Sequence, residues 1–123
     1  MAAVKCLDTY ALIEISLGNP KFSEYIKEEF IITDLALAEF YAVLLREQGE
    51  STAKYWSDKL SPYSESADKE VLIEAVRFRH KHKKQKISFF DATGYVFSLK
   101  KSLKFVTGDK EFQNFSNVEY KKR

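Results

Sequence analysis

Apolar positions along this chain cluster in two ways, as short continuous runs and as longer stripes at helical spacing. The run Ala3–Leu7 reads as a buried strand. Asp8 or Thr9 then caps a helix over Tyr10–Leu17, which Gly18-Asn19-Pro20 ends. Pro20 opens a second helix through about Phe30, and Phe30–Thr33 (FIIT) is a short extended link. Thr33 is the expected cap of a helix over Asp34–Gln48, stopped by Gly49. Ser51–Leu60 is helical up to Pro62, and Ser64–Ser66 is a minor strand or a loop. Val71, Leu72, Ala75, Val76 and Phe78 give Asp68–His82 an amphipathic helical pattern with a cationic last turn. Ser88 caps a further helix to about Ser102. Lys104–Thr107 (KFVT) is a second good strand, Gly108-Asp109 turns into a short helix through Phe112, and Val118–Tyr120 is a last edge strand.

Short strands alternating with helices predict an α/β fold, with a small, mostly parallel sheet between helical layers. The 123 residues make one domain, 1–123, with no internal repeat. Sheets of this kind carry their sites at the C-terminal ends of the strands.

Composition narrows the chemistry. The single cysteine, Cys6, excludes an internal disulfide and a cysteine-based zinc site, and it fits a reducing compartment. Both histidines, His80 and His82, lie two apart among lysines, which argues against zinc hydrolysis or a Ser-His-Asp triad. The four glycines form no phosphate-binding loop. No apolar run approaches the roughly 20 residues of a membrane span, and the first residues lack a signal-peptide pattern. A cytoplasmic protein with no membrane association is the expectation. The net charge of +2 conceals an asymmetry. Arg77–Lys86 (RFRHKHKKQK) holds six Lys/Arg and no acid, so taking those six from +2 leaves −4 for the rest of the chain.

Four acids stand apart from that background. Asp8 and Asp109 follow the two best strands, so a parallel sheet points them to one edge. Asp91 is the lone charge in ISFFDATGYVFSL, and Glu39 the lone charge in LALAEFYAVLL. Each has a local explanation. Asp8 and Asp109 can cap helices, Asp91 stands where a capping box places an acid, and Glu39 can face solvent. Together they admit another reading: converging carboxylates need a cation between them, and an all-oxygen donor set selects Mg²⁺ or Mn²⁺. Such a centre serves phosphodiester hydrolysis.

The segments LDTYAL (7–12), LALAEFYAVL (35–44), ISFFDATGYVFS (87–98) and FVTGDKEF (105–112) resemble, in order and spacing, the four acidic motifs of the PIN domain family. That family comprises metal-dependent ribonucleases whose small stand-alone members are mostly VapC toxins. The resemblance covers essentially the whole chain and implies a PIN-like three-layer α/β/α sandwich. It implies Asp8, Glu39, Asp91 and Asp109 as catalytic and metal-binding acids. Thr107 matches the hydroxyl residue that supports the last acid, Thr9 the hydroxyl residue after the first, and Glu111 a further acid behind the ligands. Tyr10 and Tyr95 depart from the small residues common at their positions, which bears on the width of the cleft.

The basic run adds a candidate RNA contact, chiefly through Lys83, Lys84 and Lys86, against the alternative of lysines complementing a helix dipole. Tyr25, Phe30, Phe40 and Tyr41 lie where toxins of this family grip an antitoxin helix and pair as homodimers, although core packing explains any single one. The expected function is a metal-dependent endoribonuclease held by a small antitoxin. The alternatives are a PIN nuclease of RNA maturation or decay, and a catalytically silent RNA- or protein-binding module.

Overall fold

The computed structural model describes residues 4–123, so Ala3 of the first expected strand lies outside the described residues. Five strands are present: β1 (Lys5–Leu7), β2 (Phe30–Thr33), β3 (Ser64–Glu65), β4 (Lys104–Thr107) and β5 (Val118–Tyr120). Six helices accompany them: α1 (Thr9–Ser16), α2 (Pro20–Ser23), α3 (Asp34–Gln48), α4 (Glu50–Leu60), α5 (Lys69–Lys81) and α6 (Phe89–Lys101). The sheet order is β3-β2-β1-β4-β5, and every neighbouring pair is parallel. The α/β/α sandwich is as expected, with a sheet that is wholly rather than mostly parallel.

Alternating strand residues feed two cores. Leu7, Ile32 and Val106 face one side and pack with Leu12, Phe22, Phe40 and Leu44 from α1–α3. Cys6 and Phe105 face the other and pack with Ala75, Ala92, Tyr95, Phe97 and Phe112. A two-residue period along each strand produces this division, and it places α5 and α6 opposite α1 and α3.

Capping fixes where the helices begin. The side chains of Asp8, Thr33, Asp68 and Ser88 accept the backbone N–H groups of Ala11, Ala36, Val71 and Asp91. Of the two candidates for the first cap, Asp8 takes the position, and Thr9 is the first helical residue.

Two expectations need correction. The second helix stops at Ser23 and gives way to a 3₁₀ turn over Glu24–Lys27, so it does not reach Phe30. Phe30–Thr33 is a full strand rather than a link, because it lies between β1 and β3 and pairs with both.

Candidate active site

With all strands parallel, their C-terminal ends open on one edge, and three of the four singled-out acids follow directly from how that edge is built. Asp8 comes immediately after β1. Its backbone N–H donates to the Val106 carbonyl at 3.1 Å, and its side chain accepts from Ala11 N at 2.9 Å. Asp109 comes two residues after β4. Its N–H donates to Thr107 Oγ1 at 3.1 Å, and its carboxylate accepts from Glu111 N at 3.0 Å. Asp91 is the third residue of α6, with its N–H on the Ser88 hydroxyl at 3.0 Å. Gly94, one turn further, lets α6 approach the sheet, since a Cβ there would stand 2.8 Å from the Phe105 ring. Glu39 lies in the second turn of α3 and is half-buried.

Electrostatics show that these groups sense one another. Burial and the charges of Asp91 and Asp109 raise the Asp8 carboxyl well above its ordinary range, against hydrogen bonds from Thr107 and Ala11 that favour its charged form. Burial, Glu39 and Asp109 push Asp91 up to about 7. Among the described residues no Lys or Arg forms an ion pair with any of the four, while other acids such as Glu14, Glu28 and Glu119 have cationic partners. Nor do three Asp, Glu, His or Cys side chains among the described residues close around one point as a ready-made cation cage. Like charges without a counter-ion repel, and an open arrangement is what that repulsion favours. The donors themselves suit a hard divalent cation: carboxylate oxygens only, on a parallel-sheet edge.

The supporting residues divide in role. Thr107 is fully buried, and its hydroxyl meets both the Asp109 N–H and the Asp8 carboxylate, tying two acids together. Thr9 is buried at the start of α1. Glu111 has a structural role that spacing alone did not show. Its carboxylate accepts from Lys86 N at 3.2 Å and its carbonyl from Gln85 Nε2 at 3.0 Å, while its own N–H holds Asp109. The basic loop is thereby strapped to the acid edge, with Lys83, Lys84 and Lys86 exposed on it.

The two bulky departures do not crowd the acids equally. Tyr95 is core, packed among Phe78, Phe105, Phe112 and Phe115, with its hydroxyl donating to the Ser116 carbonyl. Tyr10 lies against Gly108, where a Cβ would come within 2.1 Å of the ring, and its hydroxyl accepts from Arg123 N at 3.1 Å. Tyr25, Phe30 and Phe40 are buried core side chains, and Tyr41 is half-buried beside them. Sequence reasoning overlooked the residues after β5. The signal was available, because a parallel β5 must deliver Lys121–Arg123 to the same edge as Asp8 and Asp109.

Among the described residues no helix is long and apolar enough to cross a membrane. A search of curated proteins finds no match to the sequence. Solved structures do match in shape. VapC20 of Mycobacterium tuberculosis, a sarcin–ricin-loop-cleaving toxin, superposes with a TM-score of 0.77 at 18% identity, over 93% of this chain and 95% of that one. A toxin–antitoxin complex from Klebsiella pneumoniae gives 0.75 at 17%, over 94% and 95%. DNA-bound VapBC from Salmonella typhimurium gives 0.75 at 16%, over 99% and 98%. At these identities the likeness establishes the fold. The PIN domain model matches residues 5–118, a span that runs from β1 to the start of β5 and takes in all four acids, and the chain belongs to the PIN domain family.

Proposed function

We propose that this chain is an endoribonuclease dependent on Mg²⁺ or Mn²⁺, and the cytoplasmic toxin of a toxin–antitoxin pair. The observation that carries the reading is the acid edge. Asp8 and Asp91 are buried beside further carboxylates with their pKa values driven upward, and no protein cation offsets them among the described residues. Structural ion-pair networks neutralise buried acids, whereas functional clefts leave them strained. Asp8, Glu39, Asp91 and Asp109 would hold the ion. When bound, it supplies an activated water and neutralises charge on a phosphodiester.

The remaining chemistry belongs to the chain. Thr107 fixes the spacing of Asp8 and Asp109 through one hydroxyl. Glu111 holds the basic loop beside Asp109, so that Lys83, Lys84 and Lys86 bind backbone phosphates next to the acids. The partners are RNA, a small antitoxin and a second copy of the chain. The first two rest on the toxin and toxin–antitoxin structures that share the fold. The homodimer rests on Ile73, Val76 and Leu99, which stand exposed on α5 and α6, and light scattering reads it.

Cleavage of single-stranded RNA with Mn²⁺, abolished by EDTA and by Asp8→Asn or Asp91→Asn with the fold intact by circular dichroism, is the expected result. Full activity of either variant overturns the reading. The open spacing of the carboxylates favours one competitor, a catalytically silent RNA-binding PIN domain. EDTA-insensitive RNA binding without any cleavage selects it.

A further inference from the structure

The acids lie on a sheet edge with a layer of helices on each side. The strap through Glu111 puts the Lys83–Lys86 loop on the α5–α6 side, where Phe78 and Phe115 pack. The opposite side also carries cations. β5 runs parallel to β4, with Tyr120 beside Thr107, so residues 121–123 leave the sheet at the acid edge. Lys121 N donates to the Thr107 carbonyl at 2.8 Å and extends the ladder one residue beyond the strand. Arg123 N then donates to the Tyr10 hydroxyl. Tyr10 packs with the α1–α3 core, and its ring rests on Gly108, the neighbour of Asp109. Two basic segments are therefore pinned to the same short turn, Gly108–Glu111, from opposite faces of the sheet.

The side chains of the second segment are available. Lys122 is exposed. The Arg123 side chain is 69% exposed, and its guanidinium reaches the buried Glu14 carboxylate only at 3.7 Å, while Asn19 Nδ2 donates to the same carboxylate, so donors on the solvent side of Arg123 remain free for a phosphate. We propose that Lys122 and Arg123 form a second RNA-backbone contact, opposite the Lys83–Lys86 loop, so that a single strand is held on both sides of the acids. The phosphates flanking the reacting one then have separate anchors, which fixes the strand's path across the edge. This rests on the RNA reading above and adds a contact that the acidic motifs do not contain.

The test is fluorescence anisotropy with a labelled single-stranded RNA oligonucleotide, on the full chain in EDTA, so that binding is read without cleavage. Each phosphate contact adds about 0.7 to the slope of log K against log salt for single strands. Lys122→Ala/Arg123→Ala removes two, so between about 50 and 200 mM salt the wild type should lose roughly 7-fold more affinity than the variant. The loop variant Lys83→Ala/Lys84→Ala/Lys86→Ala should flatten the slope independently. Lys27 and Lys104 stand before β2 and at the start of β4, on the far edge, and Lys27→Ala/Lys104→Ala should leave the slope unchanged. An unchanged slope in Lys122→Ala/Arg123→Ala overturns the second contact while the loop variant's loss keeps the RNA reading. Equal flattening in the far-edge control overturns it as well, because the effect is then diffuse charge. No binding by the wild type at about 50 mM salt sinks both readings.

Discussion

Replacing Asp91 by Asn should make the metal-free protein more stable, and the size follows from the site. Asp91 is pushed from an ordinary 3.8 to about 7 by burial and by Glu39 and Asp109. Below about pH 4 both folded and unfolded chains hold the proton. Between about pH 4 and 7 only the folded chain does, so folding stability falls as pH rises, and the loss is complete above about pH 7. The interval corresponds to about 4 kcal/mol at neutral pH. The substituted amide keeps the side-chain volume and removes the charge. It forfeits up to about 1 kcal/mol of favourable interaction with the N-terminus of α6. The net gain is about 3 kcal/mol, or about 10 °C in Tm for a domain of this size.

Thermal melts of wild type and Asp91→Asn in EDTA, at pH 5 and pH 8, measure this directly. The difference between the two proteins cancels the titrating groups remote from the acid edge and reports Asp91 together with its coupling to Asp8, Glu39 and Asp109. It should widen by about 3 kcal/mol from pH 5 to pH 8. Mn²⁺ at about 100 times its Kd should then raise wild-type stability by about 2.7 kcal/mol and the variant's by much less. An Asp91→Asn protein no more stable than wild type at pH 8 in EDTA refutes the picture of a strained acid edge.

Two further substitutions probe the scaffold. Gly108→Ala drives a methyl into the Tyr10 ring and should cost about 1–3 kcal/mol by thermal melting, with most of the loss recovered in Gly108→Ala/Tyr10→Ser; equal stability of the single variant contradicts the packing. Thr107→Val leaves the Asp109 N–H without its acceptor and Asp8 without its donor, so Mn²⁺ affinity by calorimetry should fall about 10–100-fold, and unaltered affinity excludes Thr107 as a support.

How much of the molecule its sequence reveals depends on whether the determining contact is local. α3, α5 and α6 were legible because their signals are nearby in the chain: Thr33 and Gly49 bound α3, Asp68 starts α5 and Ser88 starts α6. The extent of α2 was not. Phe22 and Tyr25 are both buried at a spacing that a helix and a 3₁₀ turn share, so periodicity could not place the boundary. β3 is two polar residues whose strand character comes only from pairing Ile32 with Ser64 and Thr33 with Glu65. The anchoring of Arg123 to Tyr10 spans nearly the whole chain and leaves no local trace.

The acids show why the site was harder to read than the fold. Asp8 caps α1, Asp109 caps a 3₁₀ turn, and Asp91 follows a serine cap, so each satisfies a local rule for starting an element. Read one at a time, they stabilise. The parallel sheet brings their neighbours' charges to bear as well, and the balance reverses for Asp91, whose dipole benefit of about 1 kcal/mol is set against an opposing shift worth about 4 kcal/mol. Local consistency and collective strain therefore reside in the same side chains. A chain selected for stability alone would keep its caps as Ser, Thr or Asn, which serve that purpose without charge. Carboxylates at Asp8 and Asp91, raised by burial and by the charges of Asp109 and Glu39, carry a cost that the proposed cation would offset.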